Sequence, residues 1–295
     1  MAPVVQRALR GVATAVVWTA AICAQEATVV APQRVHILGA SVSGGFVDGP
    51  LFGAEKQSES VSLHRLLKAW CSGEAKVTTH PPVEMWALFR EPQKIGEKQI
   101  KLAKRRGAEA VVAVDFLFWF AYGYAFSEPE VRRPARFERG LALLDELKVP
   151  VIVGDLPNMR GAAARILSPL QVPSPAMLKQ LNARLTSWAR QRDRVTVFPL
   201  SALVKELKDE GTALPLAAGP HRTPPKALLQ GDGLHATRLG MAFMAYRMQG
   251  ALRGLFAAPH ALRDNVWSFE QFVAAAGAAE ELEDLQDRLR DGAGK

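Results

Sequence analysis

From Arg34 onward, short β-branched runs alternate with segments whose apolar residues recur at helical spacing. That alternation restricts the chain to an α/β architecture with a mainly parallel sheet, because strand-sized runs separated by helix-sized ones build crossover units rather than hairpins. Strand-like runs fall at Val35–Leu38, Ala75–Thr79, Ala110–Val114, Val149–Val153 and Val195–Phe198. Between them, Leu63, Leu66, Leu67 and Trp70 stripe one helical face, as do Phe137, Leu141 and Leu144 behind Pro134, and Leu178, Leu181, Leu185 and Trp188. Ile100 to Arg106 closes a helix at Gly107, and a last long helix is expected from Ala236 to Leu255. Residues 209–230, rich in Gly and Pro, are expected to form an excursion from the core. Ser268 to Arg290 is expected to be helical, mixed in charge and packed on the outside of the domain. No linker divides residues 34–260, and 261–295 reads as a C-terminal helical extension.

Composition narrows the partners. Hydrophobic residues make up 48% and charged residues 22% of the chain, so a packed core is expected and global disorder is excluded. The net charge of +8 is diffuse. Its short clusters, Lys104-Arg105-Arg106 and Arg132-Arg133, lack interleaved aromatics and a zinc module, so no nucleic-acid partner is expected and a solvated basic face is the simpler reading. At the N-terminus, Arg7 and Arg10 precede the apolar run Gly11 to Ala24, which ends in small residues. Residues 1–24 therefore read as a signal peptide and the protein as exported, periplasmic or secreted, with contact to a membrane only if that segment stays uncleaved as an anchor. Beyond Ala24 only Cys71 remains, so no intramolecular disulfide is available, and Cys71 beside Trp70 reads as a small core residue.

Reactive groups in such a sheet lie just past the carboxyl ends of strands. Ser41, in Gly39-Ala40-Ser41-Val42-Ser43, follows the first strand on a glycine-assisted turn that can expose its hydroxyl. Asp232-Gly233-Leu234-His235 places a carboxylate three residues before an imidazole, where it can accept the Nδ1–H and leave Nε2 as a general base. A base of that kind needs a hydroxyl to act on, and Ser41 is the candidate nucleophile.

These two blocks resemble those of the SGNH, or GDSL-type, hydrolase family, whose members carry Gly-Asp-Ser-x-Ser near the N-terminus and Asp-x-x-His near the C-terminus. The likeness extends through Ala236-Thr237-Arg238-Leu239-Gly240 and covers roughly residues 34–255. It implies a three-layer α/β/α sandwich, ester or acyl-transfer chemistry, Ser41 as nucleophile, His235 as base and then acid, Asp232 as its orienting group and the Ser41 N–H as one oxyanion donor. No cofactor is implied. Ala40 stands where the family has Asp. The family's Gly-x-Asn block is missing, since the stretch after the third strand runs Val114-Asp115-Phe116-Leu117-Phe118-Trp119, and the block between Val77 and Phe89 is unrecognisable. Gly39, Asp115 and Asn158 are the candidates for oxyanion or substrate contacts.

Competing readings apply to the same residues. The turn after the first strand lacks the spacing of Gly-x-Gly-x-x-Gly and of the P-loop, and an ordinary α/β-hydrolase elbow wants Gly where Ser43 stands. Asp115 can bond the serine turn or a polar substrate, or cap its own loop. Phe116 to Phe120 with Tyr122 can wall an acyl pocket or fill the core. His36 reads as a buried core residue and His64 as one at the border of its helix, while His80, His221 and His260 lack ligand-like spacing. The expected activity is hydrolysis of a small-molecule, lipid or carbohydrate ester, possibly O-acetyl or short acyl. The alternatives are a catalytically impaired protein that binds a glycan or acyl group in the same cleft, and an O-acyltransferase.

Overall fold

The computed structural model describes residues 32–46, 60–80, 85–123, 130–161 and 167–293; the expected signal peptide and Pro81-Pro82 lie outside them. In chain order the elements are β1 (Arg34–Ile37), α1 (Ser41–Gly44), α2 (Leu63–Cys71), β2 (Lys76–Thr79), α3 (Met85–Arg90), α4 (Pro92–Arg105), β3 (Ala110–Ala113) and α5 (Phe118–Tyr122). There follow α6 (Arg133–Asp145), β4 (Val151–Gly154), α7 (Pro175–Arg190), β5 (Val195–Phe198), α8 (Leu200–Lys205), β6 (Ala213–Leu216), β7 (Gly219–Arg222) and α9 (Arg238–Arg253). Three helices close the chain: α10 (Ala261–Asp264), α11 (Phe269–Ala276) and α12 (Ala279–Ala293).

Strands β1 to β5 form one five-stranded sheet, ordered β2-β1-β3-β4-β5, and each neighbouring pair is parallel. Side chains alternate across it, as a period of two requires. Val35, Ile37, Val112 and Ile152 face a core that includes Leu66 and Trp70 of α2, Phe243 and Met248 of α9 and Phe272 of α11. Val111, Ala113, Val151 and Val153 face the opposite core, with Ile100 of α4, Phe120 of α5, Phe137 and Leu141 of α6 and Leu185 of α7. The protein is thus a three-layer α/β/α sandwich, the class read from the sequence and implied by the family resemblance.

Three elements add to the sequence reading or depart from it, each for a physical reason. Helix α4 begins at Pro92, well before Ile100, and its buried face includes Gly96 and Gln99. Neither counts as apolar, so the stripe is hidden in the sequence. Residues 209–230 contain the antiparallel β6–β7 hairpin, and Leu214 and Leu228 enter the core, so the segment is only partly an excursion. The tail is two helices, broken at Gly277, whose φ of 67° places it in the left-handed region that glycine adopts without penalty. Nor does it lie on the outside: Phe269 and Phe272 are fully buried against α9 and α2.

Strand order reverses between β1 and β3: the connection from β1 runs to β2 on one side, and the one from β3 runs to β4 on the other. A crevice forms outside the carboxyl ends of the strands at such a switch point, where the diverging connections leave room. Ser41 follows β1 and Asp115 follows β3, so both lie at that crevice. Beneath it, His36 is fully buried and its Nδ1 lies 2.7 Å from Thr78 Oγ1. Burial first, then the positive charges of Arg106, His80 and His64, pull the His36 imidazole down from 6.5 to about 4. The unfolded chain therefore binds a proton at His36 between those values that the folded one refuses. Stability is then lost as pH falls through that window, by about 2–3 kcal/mol at its acid end. The drop in urea-unfolding free energy from neutral pH to the acid end of that window should be smaller by that amount in His36→Gln.

Candidate active site

The turn after β1 is built on a carboxylate from the next strand. Ala40 stands at the N-cap of α1 and brings no side-chain acceptor. Instead Asp115, buried at the end of β3, accepts through Oδ2 from the backbone N–H groups of Ala40 at 3.0 Å, Val42 at 2.9 Å and Ser43 at 3.4 Å. Its Oδ1 lies 2.6 Å from Ser43 Oγ, which also lies 3.0 Å from the Leu38 carbonyl and donates to one of them at a time. These bonds consume the amides on either side of Ser41. The Ser41 N–H itself has no hydrogen-bond acceptor among the described residues, and the half-buried Ser41 lines a cavity of about 220 Å³. A backbone amide at a helix start with no acceptor of its own is suited to receive negative charge.

Gly39 makes that geometry possible. Its φ of 143° is open to glycine, and a Cβ there would lie 1.8 Å from Asp115 Oδ1 and 2.4 Å from Ser43 Oγ. The Gln99 amide clasps the same residue from α4, accepting from the Gly39 N–H at 3.0 Å and donating to its carbonyl at 2.7 Å. The Gly39 N–H is therefore spent on Gln99, and Gly39 shapes the turn instead of offering an oxyanion donor.

The second block folds as a tight turn ahead of α9, whose N-cap is Thr237 with its side chain accepting from Gly240 N–H. Within that turn Asp232 Oδ1 accepts from the N–H groups of Leu234 and His235, and Oδ2 lies 2.6 Å from His235 Nδ1. Burial opposes ionisation of Asp232, but the hydrogen bond and charge of His235, with the two backbone amides, outweigh it and hold the carboxyl below its ordinary value. An ionised, fixed carboxylate keeps the proton of the neutral ring on Nδ1 and leaves Nε2 as the basic nitrogen.

Two contacts tie the histidine turn to the serine segment. The Phe46 ring stacks on the His235 ring with centroids 4.0 Å apart and planes at 25°. The buried Gln230 side chain donates to the Phe46 and Ala236 carbonyls, each at 2.7 Å. Among the described residues no hydrogen bond joins Ser41 Oγ to His235.

No family model matches the chain, and no curated protein matches it. Solved structures do. The chain is similar to TesA at 12% identity and a TM-score of 0.46, over 76% of this chain and 99% of that one. It is similar to the psychrotrophic esterase EstA from Pseudoalteromonas sp., in a structure inhibited by monoethylphosphonate, at 10% identity and a TM-score of 0.43, over 75% of this chain and 97% of that one. A gut microbial diltiazem-metabolizing enzyme is similar at 11% identity and a TM-score of 0.44, over 75% of this chain and 47% of that one.

The remaining candidate, Asn158, sits elsewhere. It is exposed, its Oδ1 caps the Arg160 N–H at 3.0 Å, and it borders a groove with Leu156, Pro175 and Ser201 away from the serine turn. The Asn after Pro157 is a turn residue, and the structure does not bring it to Ser41. Of the aromatic run, Trp119 lines the Ser41 cavity while Phe116 and Phe120 fill the core. Buried Arg133 and Arg136 hold α5 in place by donating to the Phe120 and Ala121 carbonyls. Sequence reasoning missed Gln99, Gln230 and Phe46, since a lone amide or ring carries no motif. Replacing Gly39 with Ala is expected to destabilise the protein by about 2–4 kcal/mol. Gly44→Ala is the control, because a Cβ there meets nothing within 4 Å. Urea denaturation of the two variants checks the difference.

Proposed function

We propose that the chain is an exported serine hydrolase of SGNH type that cleaves an ester, with Ser41 as nucleophile, His235 as general base and acid, and Asp232 as the group that orients the imidazole. The observation that carries this reading is the buried Asp232–His235 pair, 2.6 Å between Oδ2 and Nδ1, on a turn stacked through Phe46 onto the segment that bears Ser41. The uncommitted Ser41 N–H and the adjoining cavity support it further.

In this reading His235 Nε2 takes the Ser41 proton as Oγ bonds to the acyl carbon. The carbonyl oxygen becomes an oxyanion held by the Ser41 N–H. The ester C–O bond then breaks, and the departing alkoxide receives the proton from His235. Water repeats the sequence on the acyl-enzyme and releases the acid, with Ser41 regaining its proton. Asp232 remains a carboxylate throughout, and its role is to keep the ring in one tautomer and to favour the transient imidazolium.

A second reading is supported by the stretch after β3, where Asp115-Phe116-Leu117 brings no asparagine donor. A site short of one oxyanion donor loses about 100- to 1000-fold in rate, so the same cleft would suit a protein that holds an acyl or glycan ligand and turns it over slowly. Labelling with a fluorophosphonate probe separates the two. An activated serine is labelled in the wild type and not in Ser41→Ala, whereas a pure binder is labelled in neither.

With a short-chain nitrophenyl ester, Ser41→Ala and His235→Ala are expected to lose at least about 1000-fold in kcat. Asp232→Asn is expected to lose about 10,000-fold, through the wrong tautomer. Full activity in Asp232→Asn would remove the orienting role.

A further inference from the structure

The cavity at Ser41 shares two of its walls, His64 and Thr79, with a second and larger space. That space is an open groove of about 570 Å³ along the edge strand β2, lined also by Arg34, Lys76, Thr78 and Arg106. Among the described residues lining it there is no carboxylate and no Phe, Tyr or Trp ring. Arg34 is paired with Glu109, 2.5 Å from Nη2 to Oε1. Lys76 has no partner for its ammonium among the described residues, and Arg106 is paired with no acid there.

A lysine on an edge strand has an ordinary explanation, since charge discourages pairing with another chain. Arg106 does not fit that explanation. It comes from the end of α4, and its Nη1 donates at 2.5 Å to the carbonyl of Thr79, the same residue that walls the Ser41 cavity. Its guanidinium is thereby held at the junction of groove and cavity, with its other N–H groups left to bind. Nearby, the His36 imidazole is kept neutral first by burial and then by Arg106, His80 and His64.

We propose that this groove binds the anionic part of the substrate, and that the ester cleaved at Ser41 is borne on an acidic oligosaccharide whose carboxylates are met by Arg106 and Lys76. The proposal rests on the esterase reading of Ser41 and names its substrate class. A guanidinium fork matches a carboxylate, and the Thr78 and Thr79 hydroxyls suit a ligand rich in hydroxyl groups. The aliphatic side chain lining the groove, Val77, is buried and gives a lipid chain little to lie on. A nucleic acid would find no Phe, Tyr or Trp ring on which to stack a base. The acyl group then lies in the smaller cavity, beside Leu88 and Trp119.

Two arms test the proposal. In the first, kcat/KM is measured for an acetylated oligogalacturonate and for a neutral acetylated xylo-oligosaccharide, at low and high ionic strength. The acidic substrate is expected to be favoured by about tenfold or more at low salt, with most of that advantage lost at high salt. The second arm is independent of turnover. Binding of de-esterified oligogalacturonate to Ser41→Ala is measured by calorimetry, with Lys76→Glu and Arg106→Gln added singly and together and thermal melts as the control for folding. Each substitution is expected to weaken binding several-fold, and the pair about tenfold or more. Lys76 is exposed on an edge, so Lys76→Glu keeps the test decisive if Arg106→Gln fails to fold.

Equal kcat/KM for the two esters, or no binding of the acidic oligosaccharide, overturns the proposal. So does tighter binding of a single-stranded oligonucleotide or of phosphatidylglycerol vesicles. If neither ester is turned over and no fluorophosphonate label appears, the esterase reading fails, and the calorimetry alone decides the groove.

Discussion

The Asp115 carboxylate is the contact on which the candidate site depends. A turn leaving a parallel strand must satisfy several amides at once, since the first N–H groups of a helix have no partner within it. In this chain the N-cap residue is Ala40, which offers nothing, and the acceptor comes from the end of the neighbouring strand. Covalent sequence places the two residues far apart, while the sheet register places them side by side: β1 pairs with β3 directly below, with Ile37 opposite Val112. The turn is therefore no more rigid than the pairing of these two strands. Gly39 permits the approach, and Gln99 fixes the Gly39 peptide, which Asp115 does not reach.

The same topology explains why one crevice collects groups from distant parts of the chain. The connections that leave β1 and β3 diverge, and the opening between them is bordered by the serine turn, the end of β3 and the wall provided by His64 and Thr79. The histidine turn is brought in by a different means. It belongs to no strand of the main sheet and is fastened by the Gln230 amide and by stacking against Phe46. Among the described residues this second attachment is made through side chains, whereas the first rests on a strand pairing.

Much of this was legible in the sequence, and the limits are instructive. The strands could be read because a buried parallel sheet demands β-branched runs such as Ala110 to Val114. The Asp-Gly-Leu-His turn could be read because its contacts are local. Asp115 could be singled out as a carboxylate at a strand end, but the choice between its own loop and the serine turn depends on strand order, which a linear pattern does not carry. Asn158 illustrates the opposite failure. It also follows a strand, but β4 lies away from the point where the order reverses, so the same local signal points to a plain turn. The start of α4 was hidden for a further reason: the residues it buries against the turn and against α6 are an amide and a glycine.

The burial of Phe269 and Phe272 has a bearing on how the chain reaches its native state. These rings pack on α2, an element encoded some two hundred positions earlier, and Asn265 Nδ2 donates to the Trp70 carbonyl at 2.8 Å in the same region. One face of the sheet therefore stays incomplete until the final helices arrive. A nascent polypeptide would carry that uncovered apolar face until α11 is made, which makes that segment a closing latch and a form lacking it a candidate for aggregation.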